Sequence, residues 1–598
     1  MNKQLKLLFR ILTPRQKATL AILLFSLLGA AVLESLGIGL ILPFLRLVTD
    51  PSALDKVPWL AAVYKLSGAS SYNEFLFFAT GGLVAVFLLK NSYLAYVSYF
   101  QIRFSQNIFQ CVAQRLLKAF CNRPYTYHLT HNSSEIIRVI TSDAHAISNT
   151  LLRPGLTLIT ECVVVIAITT TLIIIDPFMT SLAFGIIGVT MGIFYFCVRP
   201  GLRRLGIASQ TGSGGMIHWI NQCLGAIREI KISGRRRLFF DAFADKVRIY
   251  ADSAIVSNIL QMLPRLLLET LAVAGLAGAF VVSIWQGKSG AELLPILATF
   301  AVAAFRLMPS ANRILISASQ FHLGGAFLEA VVRGLEEELH NTSASQADQQ
   351  TTLPIKFEKA MELRNISFSY PESKINALHD ISVTLKRGES LGIVGPSGGG
   401  KSTLLNIILG LLTPSEGEFR VDGHDVLADP TAWQRCIGFV PQDIYLLDET
   451  IRANVAFGFS PQDMDETRLF NAVSAAHLNE TVNNFPEGID TVVGERGVRL
   501  SGGQRQRVAM ARALYNEPAV IIMDEATASL DNESEQEIAQ AIARLKGART
   551  FIIVAHRLST VQGCDRLVFL KDGKIAATGT YDELAGGNAD FQRMARIA

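Results

Sequence analysis

Six segments of the chain are predominantly apolar for long enough to cross a bilayer, which takes about 20 residues of helix. They are Ala18–Leu47, Phe75–Tyr99, Leu151–Ile175, Met179–Val198, Leu266–Trp285 and Leu293–Ile316. Beyond the last of them the pattern changes. Short apolar runs such as Leu391–Val394 and Val520–Met523 alternate with glycine-bearing turns and helical periods, the pattern of a parallel α/β domain. The break between the two regimes is polar, rich in Gln, Ser and Asp. We place the membrane part at 1–335, a linker at 336–358 and an α/β part at 359–598.

The basic residues orient the spans. Lys3, Lys6, Arg10, Arg15 and Lys17 precede the first; a long leader with no small-residue cleavage site behind it does not read as a signal peptide. Arg103, Arg115, Lys118, Arg123 and Arg138 follow the second span, and ten Lys/Arg between Arg199 and Arg248 follow the fourth. The positive-inside bias puts these flanks, the N-terminus and the α/β part in the cytoplasm. Both basic connections exceed what crossing requires. Their helical period predicts paired helical extensions with turns near Cys121–His128 and Asn221–Ile227, with a mobile basic loop as the alternative. Between spans one and two, Leu54–Leu66 is amphipathic and reads either as a helix lying in the headgroup layer or as a packed surface turn.

Composition adds little else. A net charge of +4 over 598 residues does not argue for nucleic acid. Seven dispersed cysteines without a CxxC pair suggest neither zinc nor redox chemistry. Mean hydropathy of +0.32 reflects the membrane half.

Ionisable residues within spans are costly and therefore informative. Glu34 and Glu161 lie mid-span, and Arg265 and Glu269 share a helical face four residues apart. Arg306 and Arg313 share a face seven apart, around a kink expected at Pro309. Clustered arginines suit an anionic cargo such as a phosphate or pyrophosphate, since guanidinium meets those oxygens bidentately. The alternative is that these charges pair among themselves or snorkel.

The α/β part carries sharper chemistry. Leu391–Val394 feeds Gly395-Pro396-Ser397-Gly398-Gly399-Gly400-Lys401-Ser402 and then a helix opening at Thr403. This is GxxxxGK[ST] in its strand–loop–helix setting. Backbone amides around Gly395, Ser397, Gly398 and Gly400 converge on phosphates, Lys401 reaches the outer ones, and the Ser402 hydroxyl suits Mg²⁺. Val520–Met523 ends in Asp524, suited to Mg²⁺, and Glu525, suited to polarising an attacking water. Ser501-Gly502-Gly503 opens another helix at Gln504 and offers free amides to an anion.

In this order, from Met361 to Leu584, these motifs are similar to the ATP-binding-cassette domain, and six spans ahead of one cassette resemble an exporter half-transporter. The resemblance implies a six-span α-helical membrane domain fused to a cytosolic α/β P-loop domain. It implies ATP and Mg²⁺ as ligands and hydrolysis coupled to transport. It assigns Tyr370 to stacking on adenine, Gln442 to sensing Mg²⁺, and Asp531 to the loop joining two sites. His556 would hold the γ-phosphate. Ser501, Gly503 and Gln504 would act on the partner's nucleotide, so the working unit is a homodimer. Glu495 would meet the helical extensions. Two departures, Gly399 and the order Ala528-Ser529, remove no phosphate ligand. Glu34–Phe44, Pro264-Arg265 with Glu269, and Arg306–Arg313 further resemble flippases for lipid-linked oligosaccharides. That likeness implies cavity arginines at Arg265, Arg306 and Arg313, a lipid-engaging external helix near Val57–Leu66, and a polyprenyl-pyrophosphate saccharide cargo in a bacterial inner membrane. Exporters of lipids, peptides or drugs are the alternative.

Overall fold

The computed structural model describes residues 2–49, 64–65, 67–69, 71–175, 177–285, 290–336, 355–371, 373, 375–525, 544–555 and 557–597. Asp531, His556, most of the external segment Leu54–Leu66, most of the linker and the side chain of Arg306 lie outside that set. Compactness divides the chain into two units, Met1–Arg123 with His131–Ser345, and Pro124–Thr130 with Gln346–Ala598.

The first unit is helical. A short amphipathic helix α1 (Asn2–Ile11) precedes α2 (Pro14–Thr49), α3 (Tyr72–Cys121), α4 (Arg153–Ile175), α5 (Pro177–Gly225), α6 (Arg236–Trp285), α7 (Gly290–Leu323) and α8 (Gly325–Gly334). Each expected span falls inside one of α2–α7, except that Leu151–Ile175 begins in the π-helical turn just before α4. Among the described residues, five stretches are long and apolar enough to cross a membrane. The exception is the span inside α5, where several side chains are undescribed. Fifty- and 49-residue helices are far longer than a bilayer needs. The paired extensions are therefore helical, and the chain turns near Asn122–Pro124 and Ala226, where they were expected. Between Ser133 and Arg153 the helix contains two π-helical turns, Val139–Asp143 and Ile147–Leu152. The helix α7 runs as one element through Pro309.

Close helix approach in this unit depends on small residues. A Cβ at Gly212 of α5 would stand 2.9 Å from the Tyr250 amide of α6, and one at Gly206 would stand 2.8 Å from the Leu323 carbonyl. Buried charge is matched locally. Arg138 donates to Asp143 at 2.5 Å, and Gln210 donates to the same oxygen at 3.1 Å.

The second unit has two sheets. An antiparallel sheet orders β2 (Leu378–Lys386), β1 (Ala360–Phe368), β4 (Glu416–Val421) and β5 (His424–Asp425). The main sheet orders β10 (Lys574–Gly579), β9 (Arg566–Lys571), β3 (Ser390–Val394), β8 (Thr550–Val554), β7 (Val520–Asp524) and β6 (Ile437–Val440). Five of its six strands are parallel, and β10 pairs antiparallel at the edge. Every residue of β3 and β8 is buried, as a parallel sheet covered on both faces requires.

Two apolar clusters cover the main sheet's faces. Trp433 is fully buried in one, edge-on to Phe357 and Phe419, and its indole N–H donates to the Ile408 carbonyl at 2.7 Å. Ile408 ends α9 (Lys401–Ile408), the helix after the glycine-rich loop. Trp433→Ala removes a large core side chain and one carbonyl's partner together. We expect a loss of about 3–5 kcal/mol, read as a lowered thermal-unfolding midpoint of the cassette.

Candidate nucleotide site

The strand ends of the main sheet converge. β8 lies between β3 and β7, with Ile393 opposite Val554 and Val554 opposite Asp524. The glycine-rich loop and the carboxylate pair therefore leave the same end of the sheet, the end at which α/β folds bind ligands.

Two glycines make the loop possible. At Gly395 the backbone has φ +154°, and a Cβ would lie 2.0 Å from the Leu570 carbonyl oxygen. At Gly400, φ is +98° and a Cβ would meet the Ala377 carbonyl at 2.9 Å. Gly400 caps α9 without a side-chain bond, so the first amides of that helix point into the loop without a side-chain cap. Ser397 and Ser402 are exposed at the rim, whereas Lys401 is buried and its ammonium donates to the carbonyls of Gly395 (2.8 Å) and Pro396 (3.0 Å). Burial pushes the Lys401 amine below its usual range, against the opposing pull of Glu525 and Asp524. A chain of glycines, open amides and one cation fits a polyphosphate.

Across the site, Asp524 is pushed up to about 6, first by burial and then by the neighbouring Glu525 charge, with Lys401 opposing. Glu525 has φ +47°, a left-handed conformation for a side-chain-bearing residue, held by its own amide donating to the Val554 carbonyl at 2.8 Å. Such a backbone costs about 1–3 kcal/mol and persists where the surroundings fix it. Gln442, two residues past β6, donates through Nε2 to Glu525 Oε2 at 2.6 Å. The structure thus brings Gln442, Glu525, Asp524, Lys401 and Ser402 to one end of the sheet. A divalent cation would find oxygen donors of the right kind in Ser402, Gln442 and Asp524.

Tyr370 stands edge-on to Phe368, and its hydroxyl hydrogen-bonds Thr403 Oγ1 at 3.1 Å, which ties the ring to the start of α9. Ser501 caps α11 (Gly502–Tyr515) in a capping box. Its hydroxyl accepts from the Gln504 amide at 3.2 Å, and the Gln504 side chain accepts from the Ser501 amide at 2.9 Å. Glu495 is exposed in a turn where Gly494, Arg496 and Gly497 all have positive φ.

Residues 378–528 match the ABC transporter family and residues 20–308 match the ABC transporter transmembrane region. The chain is 32% identical over 479 residues to the ATP-dependent lipid A-core flippase of Burkholderia pseudomallei, spanning 78% of this chain and 77% of that one. It belongs to the ABC transporter family, as an exporter half-transporter. The flippase of the same name from Cupriavidus metallidurans is 28% identical over 536 residues, 88% of each chain. The putative multidrug export ATP-binding/permease protein YgaD of Bacillus subtilis is 28% identical over 546 residues, 88% of this chain and 90% of that one. A bacterial Atm1-family ABC exporter with ATP bound superposes with a TM-score of 0.76 at 23% identity, over 97% of this chain and 99% of that one, and so shares its fold. As a member of this family the chain is an ATPase that couples hydrolysis to transport through a multi-pass membrane domain.

Two of the expected membrane arginines are paired with carboxylates. Arg313 of α7 meets Glu161 of α4 through two bonds, Nε to Oε1 at 2.5 Å and Nη2 to Oε2 at 3.2 Å. Glu161 is buried while Arg313 stays about half exposed. Arg265 donates to Glu269 at 2.9 Å, as their four-residue spacing suggests, with both side chains exposed. Sequence reasoning passed over Lys90 in the second span, which is buried with its ammonium 4.5 Å from the Phe87 ring centroid. It also passed over Arg512 and Asn454, which hold the segment after Gln442. A polar residue amid apolar neighbours was the available signal in each case.

The Asp524 shift has a sign that can be tested. A carboxyl raised to about 6 from 3.8 is neutral in both folded and unfolded chains only below about pH 3. Between pH 4 and 6 the unfolded chain ionises first, so folding loses stability over that window. Asp524→Asn should raise the thermal midpoint at pH 8 and raise it progressively less as the pH falls through 6 towards about 3, while abolishing Mg²⁺-dependent ATP binding. A midpoint shift equal at both ends of that range would contradict the assignment.

Proposed function

We propose that two copies of this chain form a flippase in a bacterial inner membrane, moving an amphiphile with an anionic head. The N-terminus and the cassette face the cytoplasm, on the side where the basic flanks accumulate. The stretch 336–358 links the two parts. The observation that carries the reading is the similarity, over more than three quarters of the chain, to proteins named lipid A-core flippases. An oligosaccharide linked to a polyprenyl pyrophosphate is the finer assignment. It rests on the resemblance of the Glu34–Phe44, Arg265 and Arg306–Arg313 segments and on the half-exposed guanidinium of Arg313. Similarity to YgaD favours a drug-like cargo as the second reading.

In this reading the loop amides from Gly395 to Gly400 and the α9 N-terminus bind the phosphates of ATP, with Lys401 neutralising their charge. Tyr370 supports the adenine, and Thr403 holds the Tyr370 hydroxyl. Mg²⁺, bound at Ser402, Gln442 and Asp524, would supply charge neutralisation of the phosphate oxygens. Glu525 accepts a proton from the attacking water, and Gln442 orients that carboxylate through their hydrogen bond. Ser501, Gly503 and Gln504 act on the nucleotide of the second copy, Ser501 through its hydroxyl and Gly503 through its amide, while the capping box between Ser501 and Gln504 fixes the helix terminus. Asp531 and His556 take the joining and γ-phosphate roles that the family pattern gives them.

Two experiments in proteoliposomes test the proposal. Glu525→Gln should lower ATP turnover by about 100-fold or more and stop translocation; unimpaired turnover would sink the general-base role. For the cargo, Arg306→Ala with Arg313→Ala should reduce flipping of a pyrophosphate-linked saccharide by about 10-fold or more. Arg313→Ala alone would strand a buried carboxylate, so Glu161→Gln accompanies it. Unchanged flipping in the triple variant, or stimulation of ATPase by uncharged drugs alone, would favour the second reading.

A further inference from the structure

Arg512 lies on α11, three turns beyond the Ser501 cap, and among the described residues its guanidinium hydrogen-bonds no carboxylate. Nε donates to the Asn454 carbonyl at 2.8 Å, Nη1 to the Tyr445 carbonyl at 2.9 Å and Nη2 to Asn454 Oδ1 at 3.0 Å. The group also covers the Phe457 ring at 4.6 Å. Burial draws its pKa down to about 10. Holding a cation against dipoles alone costs desolvation that an apolar side chain would avoid. What a guanidinium adds is a planar fork that holds several oxygens in fixed geometry.

The acceptors are themselves fixed. Asn454, in α10 (Ile451–Val455), is fully buried and uses every polar atom of its side chain. Its Nδ2 donates to the carbonyls of Leu447 and Thr450, both at 3.0 Å, and its Oδ1 accepts from the Leu447 amide at 2.9 Å as well as from Arg512. The loop from Tyr445 to Thr450 is therefore pinned from within by Asn454 and from α11 by Arg512. That loop begins three residues past Gln442, whose side chain holds Glu525. One bonded path runs from Glu525 through Gln442 and Tyr445 to Arg512, and along α11 to Ser501. Apolar packing already holds α11 in the core through Val508, Ala511 and Tyr515, so the fork is not what keeps the helix in place.

We infer that Arg512, seated on Asn454, is a positioning residue of the ATPase cycle that makes the Gln442 segment, α10 and α11 move as one body. On the dimer reading proposed above, displacement of Gln442 at its own nucleotide is then passed to the Ser501–Gly503 helix terminus that acts on the second copy. The same clamp leaves the glycine-rich loop untouched, so first binding of ATP does not depend on it.

The test uses the full-length protein in lipid nanodiscs and reads ATP turnover, which does not depend on which cargo is carried. Arg512→Lys keeps the charge and the fold but cannot span Tyr445 and Asn454. We expect kcat to fall about 10-fold or more, with KM for ATP and the thermal midpoint close to those of the unaltered protein. In a Glu525→Gln background, closure of the two cassettes, followed by a fluorescence pair on them, should require about 10-fold more ATP. Binding of a fluorescent ATP analogue at low concentration should be unchanged. A kcat equal to that of the unaltered protein overturns the proposal. So does a joint loss of kcat, ATP binding and thermal midpoint, which would make Arg512 a fold residue. Arg512→Met, which keeps the stem and removes the charge, should match the lysine variant wherever it folds; full turnover in it would likewise overturn the clamp.

Discussion

Val554 sits between two neighbours of different chemistry. On one side it pairs with Ile393, the penultimate residue before the glycine-rich loop; on the other it pairs with Asp524, and its carbonyl accepts the Glu525 amide at 2.8 Å. That backbone register aligns the phosphate cradle with the two carboxylates, although β3 and β7 are not themselves paired. The register is fixed because these strands are buried on both faces, so a slip would expose or bury the wrong groups throughout. The left-handed Glu525 and the crowded Gly395 are tolerated because the sheet over-determines them. Strain of this kind is what lets a carboxylate turn off the end of a strand and meet Gln442.

The membrane unit follows a different economy of charge. In hydrocarbon an unpaired carboxylate is costly, and Glu161 is accordingly held by a bidentate Arg313. The pair is asymmetric, buried at the acid and half open at the base. A guanidinium so placed stays half exposed while its charge is compensated, which is what the proposed anionic-headed cargo would meet. Arg265 and Glu269 do the same on one helix with both ends exposed. Close backbone approach at Gly206, against Leu323 of α7, and at Gly212, against Tyr250 of α6, packs the long α5 helix against its neighbours.

Much of the cassette was legible because its signals are local. GxxxxGK[ST] encodes its own loop, since Gly395 and Gly400 occupy backbone positions that a side chain would block. Leu391–Val394 and Val520–Met523 announced buried parallel strands, and Ser501 announced a helix N-terminus, with the helix starting two residues before Gln504 because Gly502 and Gly503 are already helical. The spans were visible as unbroken apolar length, and their helical extensions as period without breakers. The α1 helix and the π-helical turns before α4 carried no such signature.

By itself, then, the sequence determined the helical and strand elements and the ATP chemistry, because periodicity and glycine placement act over a few residues at a time. Apart from the local pair Arg265–Glu269, tertiary structure decided the partners. Glu161 finds Arg313 across 152 positions, Gln442 finds Glu525 across 83, and Arg512 finds Asn454 across 58. Which polar groups meet at such separations depends on helix packing and strand register, and each buried donor takes whichever acceptor that packing delivers. The sequence names the groups, but only the closed fold supplies the distances.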